Sequence, residues 1–207
     1  MYRLGALVIG YLLGGVQSAI LLGKLKGIDI RLQGSGDAGT TNTVRVLGKK
    51  AGAMVLLMDI AKTLIAMLIA RLLFNGDNIP SIVVSLYAGI GVILGHSYPI
   101  FFGFRGGKGI AATAGLIIGI GNPLLFLILA ATFFTCFGIT KIVSLSSLLV
   151  TGTFPFWLIL FYCGQPGGIE AMVLGFVIMA ITYYRHKDNI KRLLTGTESK
   201  LNLTSKK

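Results

Sequence analysis

Gly109-Ile-Ala-Ala-Thr-Ala-Gly-Leu-Ile-Ile-Gly-Ile120 is an uncharged apolar run. At about 1.5 Å per helical residue it is too short to cross a hydrocarbon layer of about 30 Å unaided. Whether it crosses decides the side on which the rest of the chain lies. Longer apolar runs flank it: Leu4 to Leu25, Gly52 to Phe74 and Ile79 to Leu94 before it, and Leu124 to Ile139, Leu145 to Tyr162 and Ile169 to Tyr184 after it. If it crosses, the Lys and Arg of residues 24–50, Arg105, Lys108, Lys141 and the tail from Arg185 share one face, leaving only Arg3, Lys62 and Arg71 elsewhere. The outer loops, Asn75 to Asn78, Gly121 to Pro123 and Cys163 to Gly168, then hold no basic residue. If it dips and returns, the basic tail lies outside. Because basic residues collect on the cytosolic side, charge placement favours a crossing. The sequence therefore predicts an all-α, polytopic membrane protein of about seven transmembrane helices, N-terminus outside and C-terminus cytosolic.

Composition excludes a soluble class, with 54% hydrophobic and 13% charged residues and a mean hydropathy of +0.82. The net charge of +12 fits topology and anionic headgroups better than nucleic acid, and leaves anionic substrates open. Cys136 and Cys163 fall near opposite ends of neighbouring spans, which argues against a disulfide. The run after Arg3 reads as a retained first span, not a signal peptide. With no internal repeat, residues 1–200 are expected to form a single helical bundle. Its cytosolic loops are 26–50, 95–109 and 140–147, its tail 185–200, and 201–207 a flexible end.

The first cytosolic loop, Gly34-Ser-Gly-Asp-Ala-Gly39-Thr-Thr-Asn-Thr-Val-Arg45, contains G-x-G-x-x-G without the βαβ unit a dinucleotide site needs. Its local chemistry remains: open backbone at Gly34 and Gly36, donors on Ser35, Thr41 and Asn42, and the cation Arg45, together an anion site or simply a basic connector. The second loop, Gly95-His-Ser-Tyr-Pro-Ile-Phe-Phe-Gly-Phe-Arg-Gly-Gly-Lys-Gly109, has Phe102 at the first glycine position of a Walker A loop and Gly109 at its Ser/Thr position. Gly106, Gly107 and Gly109 around Lys108, with Arg105, read as a phosphate grip, against an aromatic interfacial turn. His96 is either an interfacial hydrogen-bonding residue or a reactive one, and Ser144, at a helix start, a cap or a ligand. His186 and Asn189 share a face of a helix expected to continue from the last span, where a lipid-binding basic helix is the other reading. Asp59 and Lys62, three apart within a span, are a satisfied pair or a functional one.

Together these segments resemble the bacterial acyl-phosphate-dependent glycerol-3-phosphate acyltransferase family over nearly the whole chain. Its three motifs appear in order, as Gly34 to Asn42 with Arg45, Gly95 to Pro99 with Phe104 to Gly109, and His186 to Arg192 with Gly196-Thr-Glu198. The resemblance implies Ser35, Arg45, His186 and Asn189 as the catalytic set. It implies Gly34, Gly36, Thr41, Asn42, His96, Arg105, Gly106, Gly107, Lys108, Gly109 and Ser144 as substrate-binding, Glu198 as structural, and no metal or cofactor. Asp37 and Thr40 stand where that family commonly has Asn and Ala, and Arg105 where it has Lys, which bears on fine positioning. The activity implied is transfer of an acyl group from acyl phosphate to the 1-hydroxyl of glycerol 3-phosphate, giving lysophosphatidic acid and phosphate, at the cytosolic face of the bacterial inner membrane. Expected partners are the two substrates and membrane lipids, with no nucleic acid; a monomer is allowed, as is transient contact with the enzyme that makes acyl phosphate. The His-x4-Asp signature of acyl-CoA acyltransferases is absent, since Phe101 and Lys191 occupy the Asp positions. The proton acceptor is either His186 or a substrate phosphate. A transporter for a phosphate-bearing metabolite, using Asp59, Lys62 and the short run, is the competing class, and a lipid-binding scaffold a third.

Overall fold

The computed structural model describes residues 1–74, 76 and 79–201. The expected flexible end beyond Leu201 and all but Gly76 of the outer loop from Asn75 to Asn78 lie outside those residues. Among the described residues every regular element is helical. Six stretches are long and apolar enough to cross a membrane: Tyr2–Leu25, Lys49–Leu73, Ser81–Phe102, Pro123–Thr140, Val143–Tyr162 and Gly168–Arg185. The uncharged run from Gly109 forms a shorter helix, Ile110–Ile120. The helices group into two compact units that divide between Ile120 and Gly121. Gly121 takes a left-handed conformation (φ 76°), the Asn122 side chain accepts from the N–H of Leu125, and Pro123 starts a new helix, so the chain stops and restarts there.

The first unit holds α1 (Tyr2–Gly14), α2 (Ser18–Leu25), α3 (Thr40–Leu47), α4 (Lys49–Leu73), α5 (Ser81–Ser97) and α6 (Ile110–Ile120). α1 and α5 approach backbone to backbone at two small-residue pairs, Gly10 with Gly14 and Gly91 with Gly95. A Cβ at any of the four would collide with a carbonyl of the facing helix. The expected first span is interrupted at residues 15–17, because the freed carbonyls of Gly14 and Val16 accept from Lys62 Nζ of α4 at 3.3 and 2.7 Å. α6 packs its glycines on neighbours, Gly115 on α4 at Ile60 and Thr63, and Gly119 on Met67, while Leu116 fills the space beside Gly89 of α5. Its far end is tied by Arg71, which donates to the Gly119 carbonyl and to Ser85 Oγ, both at 2.7 Å.

The second unit holds α7 (Pro123–Thr140), α8 (Val143–Tyr162), α9 (Gly168–Arg185) and α10 (Lys187–Leu194). α7 fully buries only Leu125 and Leu129 and leaves Leu127, Phe134 and Ile139 exposed, a face suited to lipid tails and not to water. Gly175 of α9 packs against Leu158 and Pro155 of α8. The expected continuous last helix is broken at His186 (φ −101°, ψ 10°), and α10 starts anew from it.

Candidate active site

In the first unit Gly34 and Gly36, both at positive φ (60° and 74°), fold the loop back on the start of α3. Asn42, buried on that helix, holds the loop. Its Oδ1 accepts from the Ser35 N–H at 2.8 Å, and its Nδ2 donates to the carbonyls of Ile30 (3.1 Å) and Gln33 (3.0 Å). A Cβ at Gly34 would strike that Oδ1. Thr41 and Arg45 are half-buried on α3, and Ser35 is exposed, its Oγ donating to Asp37 Oδ2 at 3.2 Å. The same carboxylate oxygen pairs with Lys108 Nζ, which joins the two glycine loops. Arg31 adds a second tie, donating to the Phe102 carbonyl at 3.1 Å while it grips Asp29. Its hydrogen bonds hold the Asp29 carboxyl down at about 2.

Gly106 and Gly107 are buried against His96. A Cβ on Gly106 would collide with the His96 carbonyl oxygen, and one on Gly107 with His96 Nε2. The His96 carbonyl accepts from the Gly107 N–H (3.1 Å) and from Gln17 Nε2 (3.2 Å). Gly109 (φ 79°) turns the chain into α6, and Arg105 is exposed. Behind the loop lies a buried cluster. Lys62 Nζ is 2.8 Å from Asp59 Oδ1 and 3.0 Å from His96 Nδ1, and Ser18 Oγ donates to Asp59 Oδ1 at 2.9 Å.

In the second unit Glu198 gathers three partners. Ser144 Oγ (2.8 Å) and Asn189 Nδ2 (2.6 Å) donate to its Oε1, and Arg192 Nε (2.7 Å) to its Oε2. Burial pushes this carboxyl up, but the hydrogen bonds from Asn189, Arg192 and Ser144 and the charge of Arg192 outweigh it, and the net effect lies below the ordinary Glu value. Asn189 Oδ1 is buried without a hydrogen-bond partner. The buried His186 sets Nδ1 2.8 Å from the Thr182 carbonyl oxygen, one turn back. The Leu201 N–H bonds the Lys141 carbonyl at 2.8 Å, so the tail returns to the α7–α8 corner.

The sequence-predicted residues thus fall in two groups. In the first, Ser35 is joined to Asn42 directly and to Lys108 through Asp37, and His96 packs against Gly106 and Gly107, with Gly34, Gly36 and Gly109 shaping the backbone; Ser144, Asn189 and Glu198 meet in the second. Gln17 and the Lys62–His96 contact were not singled out from sequence, and Asp37 only for standing where Asn is common; its acidic character beside two basic loops is the signal that could have marked it as a partner for Lys108. No cluster of three metal-ligating side chains occurs among the described residues.

The family model described as glycerol-3-phosphate acyltransferase matches residues 4–196. The glycerol-3-phosphate acyltransferase of Macrococcus caseolyticus is 42% identical over 94% of this chain and 95% of its own, and that of Clostridioides difficile 41% identical over 94% and 93%. The crystal structure of PlsY, an integral membrane glycerol 3-phosphate acyltransferase, in its glycerol 3-phosphate form superposes with a TM-score of 0.84 at 37% identity, covering 98% of this chain and 96% of that one. Its lysophosphatidic acid form gives 0.82 at 36%, covering 98% and 97%.

Proposed function

This chain belongs to the glycerol-3-phosphate acyltransferase family, and from that premise we propose that it moves a fatty acyl group from acyl phosphate to the 1-hydroxyl of glycerol 3-phosphate. The observation that carries the reading is full-length likeness to a PlsY known in a glycerol 3-phosphate form and a lysophosphatidic acid form, the acceptor and product of such a transfer. The chain is an integral membrane acyltransferase of glycerol 3-phosphate, and its reaction serves phospholipid synthesis. Lys62 and Asp59, which had suggested a transport site, bond each other and nearby backbone.

An acyl phosphate is a mixed anhydride whose phosphate leaves readily, so the enzyme must chiefly neutralise anions and align the hydroxyl with the carbonyl. In the first unit Lys108, Arg105, His96 and the N–H groups of the Gly106–Gly109 loop receive phosphate, and Ser35, Thr41 and Arg45 attend the donor. In the second, Ser144 contacts phosphate and Asn189 Oδ1 accepts from the 2-hydroxyl of glycerol 3-phosphate, which leaves the 1-hydroxyl proton to His186. A carbonyl oxygen only accepts, so the bond to Thr182 puts the neutral His186 proton on Nδ1 and leaves the lone pair on Nε2. That tautomer is a base: Nε2 takes the hydroxyl proton as the oxygen attacks the acyl carbon, the bond to phosphate breaks, and inorganic phosphate departs. Grouping of Lys and Arg supports seven crossings that include α6, an external N-terminus and a site facing the cytosol of a bacterial inner membrane.

Purified protein reconstituted with acyl phosphate and glycerol 3-phosphate should yield lysophosphatidic acid and inorganic phosphate, and acyl-CoA should give nothing in its place. Product from acyl-CoA alone would overturn the donor; glycerol 3-phosphate accumulating in sealed vesicles without product would favour transport.

A further inference from the structure

Lys62 sits inside the first unit with four polar atoms around its ammonium: Asp59 Oδ1 at 2.8 Å, the carbonyl oxygens of Val16 (2.7 Å) and Gly14 (3.3 Å), and His96 Nδ1 at 3.0 Å. An ammonium has donors only, so a ring nitrogen 3.0 Å away must accept. A protonated Nδ1 would set two donors, both cationic if the ring were imidazolium, against each other in a buried place. His96 is therefore neutral, with its single proton on Nε2. That nitrogen is the edge packed against Gly107, where a Cβ could not fit.

We propose that Lys62, anchored by Asp59, is a positioning residue that holds His96 as the Nε2–H tautomer, so that the ring presents a fixed hydrogen-bond donor, and not a base, to the anion entering the glycine loop. The inference rests on the phosphate-binding reading of that loop. Asp59 keeps Lys62 in place through Oδ1, which also accepts from Ser18 Oγ, and the same oxygen lies 3.7 Å from His96 Nδ1. Asp59 is therefore the acceptor that would capture Nδ1 were the ammonium removed. With Lys62→Met the proton should move to Nδ1, towards Asp59, and Nε2 would turn a lone pair on the phosphate.

The chain has two histidines, so nitrogen-15 histidine labelling of the full protein in lipid bicelles gives two ring spectra, and His186→Asn assigns them. The expected wild-type result is a bare, pyridine-like Nδ1 and a protonated Nε2 on His96. Lys62→Met should shift His96 to the opposite tautomer and raise KM for glycerol 3-phosphate by roughly ten- to a hundredfold, the worth of a hydrogen bond to a charged group, with a smaller change in kcat. A protonated Nδ1 on wild-type His96 would overturn the proposal even if Lys62→Met does not fold. So would a variant that keeps the tautomer, or one that keeps KM. Turnover by wild type with the wrong tautomer sinks this inference and spares the acyltransferase reading. Absence of turnover sinks that reading, while the spectrum still decides the tautomer.

Discussion

His96 of the first unit and His186 of the second are both buried, and each turns Nδ1 to a neighbour in its own unit, yet the two rings carry their proton on opposite nitrogens. At His96 an ammonium stands at Nδ1, so the ring's proton goes to Nε2. At His186 a backbone carbonyl stands at Nδ1, so the proton stays there and Nε2 keeps its lone pair. Burial is the same in the two places; the atom facing Nδ1 differs. One histidine becomes a donor suited to holding an anion, the other a base suited to taking a proton.

The sharpest way to break this contrast is to remove the proposed base. His186→Ala should lower kcat by about 10²- to 10⁴-fold, the usual range for general base catalysis, with KM for glycerol 3-phosphate little changed. Perturbing the first unit's histidine through Lys62 should do the reverse and act mainly on KM. Near-normal steady-state turnover by His186→Ala would hand the proton to a substrate phosphate and end the contrast.

The two clusters also differ in what steadies them. The first is braced by the break between α1 and α2, through the carbonyls of Gly14 and Val16 and the side chain of Gln17, whereas the second hangs on one carboxylate from the tail. Glu198→Ala leaves Ser144 Oγ and Asn189 Nδ2 without their acceptor, at a cost of about 2–4 kcal/mol. The ion pair with Arg192, a side chain 45% exposed, adds little. Lower thermal stability, faster proteolysis of the tail and at least tenfold lower activity are expected; an unchanged melting curve would mean that the tail is not what orders Asn189.

Acid should find the same difference. Glu198 titrates below its ordinary value when folded, so its contribution is complete above that value, about 4.5, and is lost as pH falls through the lower folded one. Asp29 behaves alike, its share persisting until pH falls from its ordinary 3.8 towards about 2. Neither carboxylate should alter stability between pH 6 and 8. Melting temperatures measured across pH 3–8 should show an acid decline that Glu198→Gln flattens; a wild-type decline beginning near pH 7 would point to another group.

Legibility in the sequence follows the range of the interactions. The six long helices could be read from apolar runs because a span needs only local hydropathy. Gly106, Gly107 and Gly109 stood out because glycine is a costly choice unless backbone must come close. The interruption at residues 15–17 could not be read, since the Lys62 that donates to its carbonyls lies 46 to 48 positions away. Nor could the break at His186, because Thr182, Asn189 and Glu198 look locally like a continuing helix and a polar tail. Tautomers lie further still from sequence, fixed by a third dimension of packing at a single nitrogen. Asn42, expected as a substrate ligand, commits three hydrogen bonds to its own loop.

The smallest expected effect concerns the loop cation. Asp37 Oδ2 holds both Lys108 Nζ and Ser35 Oγ, so a phosphate reaching for Lys108 must compete with a carboxylate already there. Both partners are partly exposed, 20% for Lys108 and 27% for Asp37, and such pairs contribute about 0.2–1 kcal/mol. Asp37→Asn should therefore lower KM for glycerol 3-phosphate by up to about fivefold at low salt and by less at high salt, where the pair is already screened. kcat should hold, because the base proposed for the transfer is His186 of the second unit. A rise in KM would mean instead that Asp37 aims Lys108 at the phosphate, and that the first unit, like the second, depends on a single carboxylate for its order.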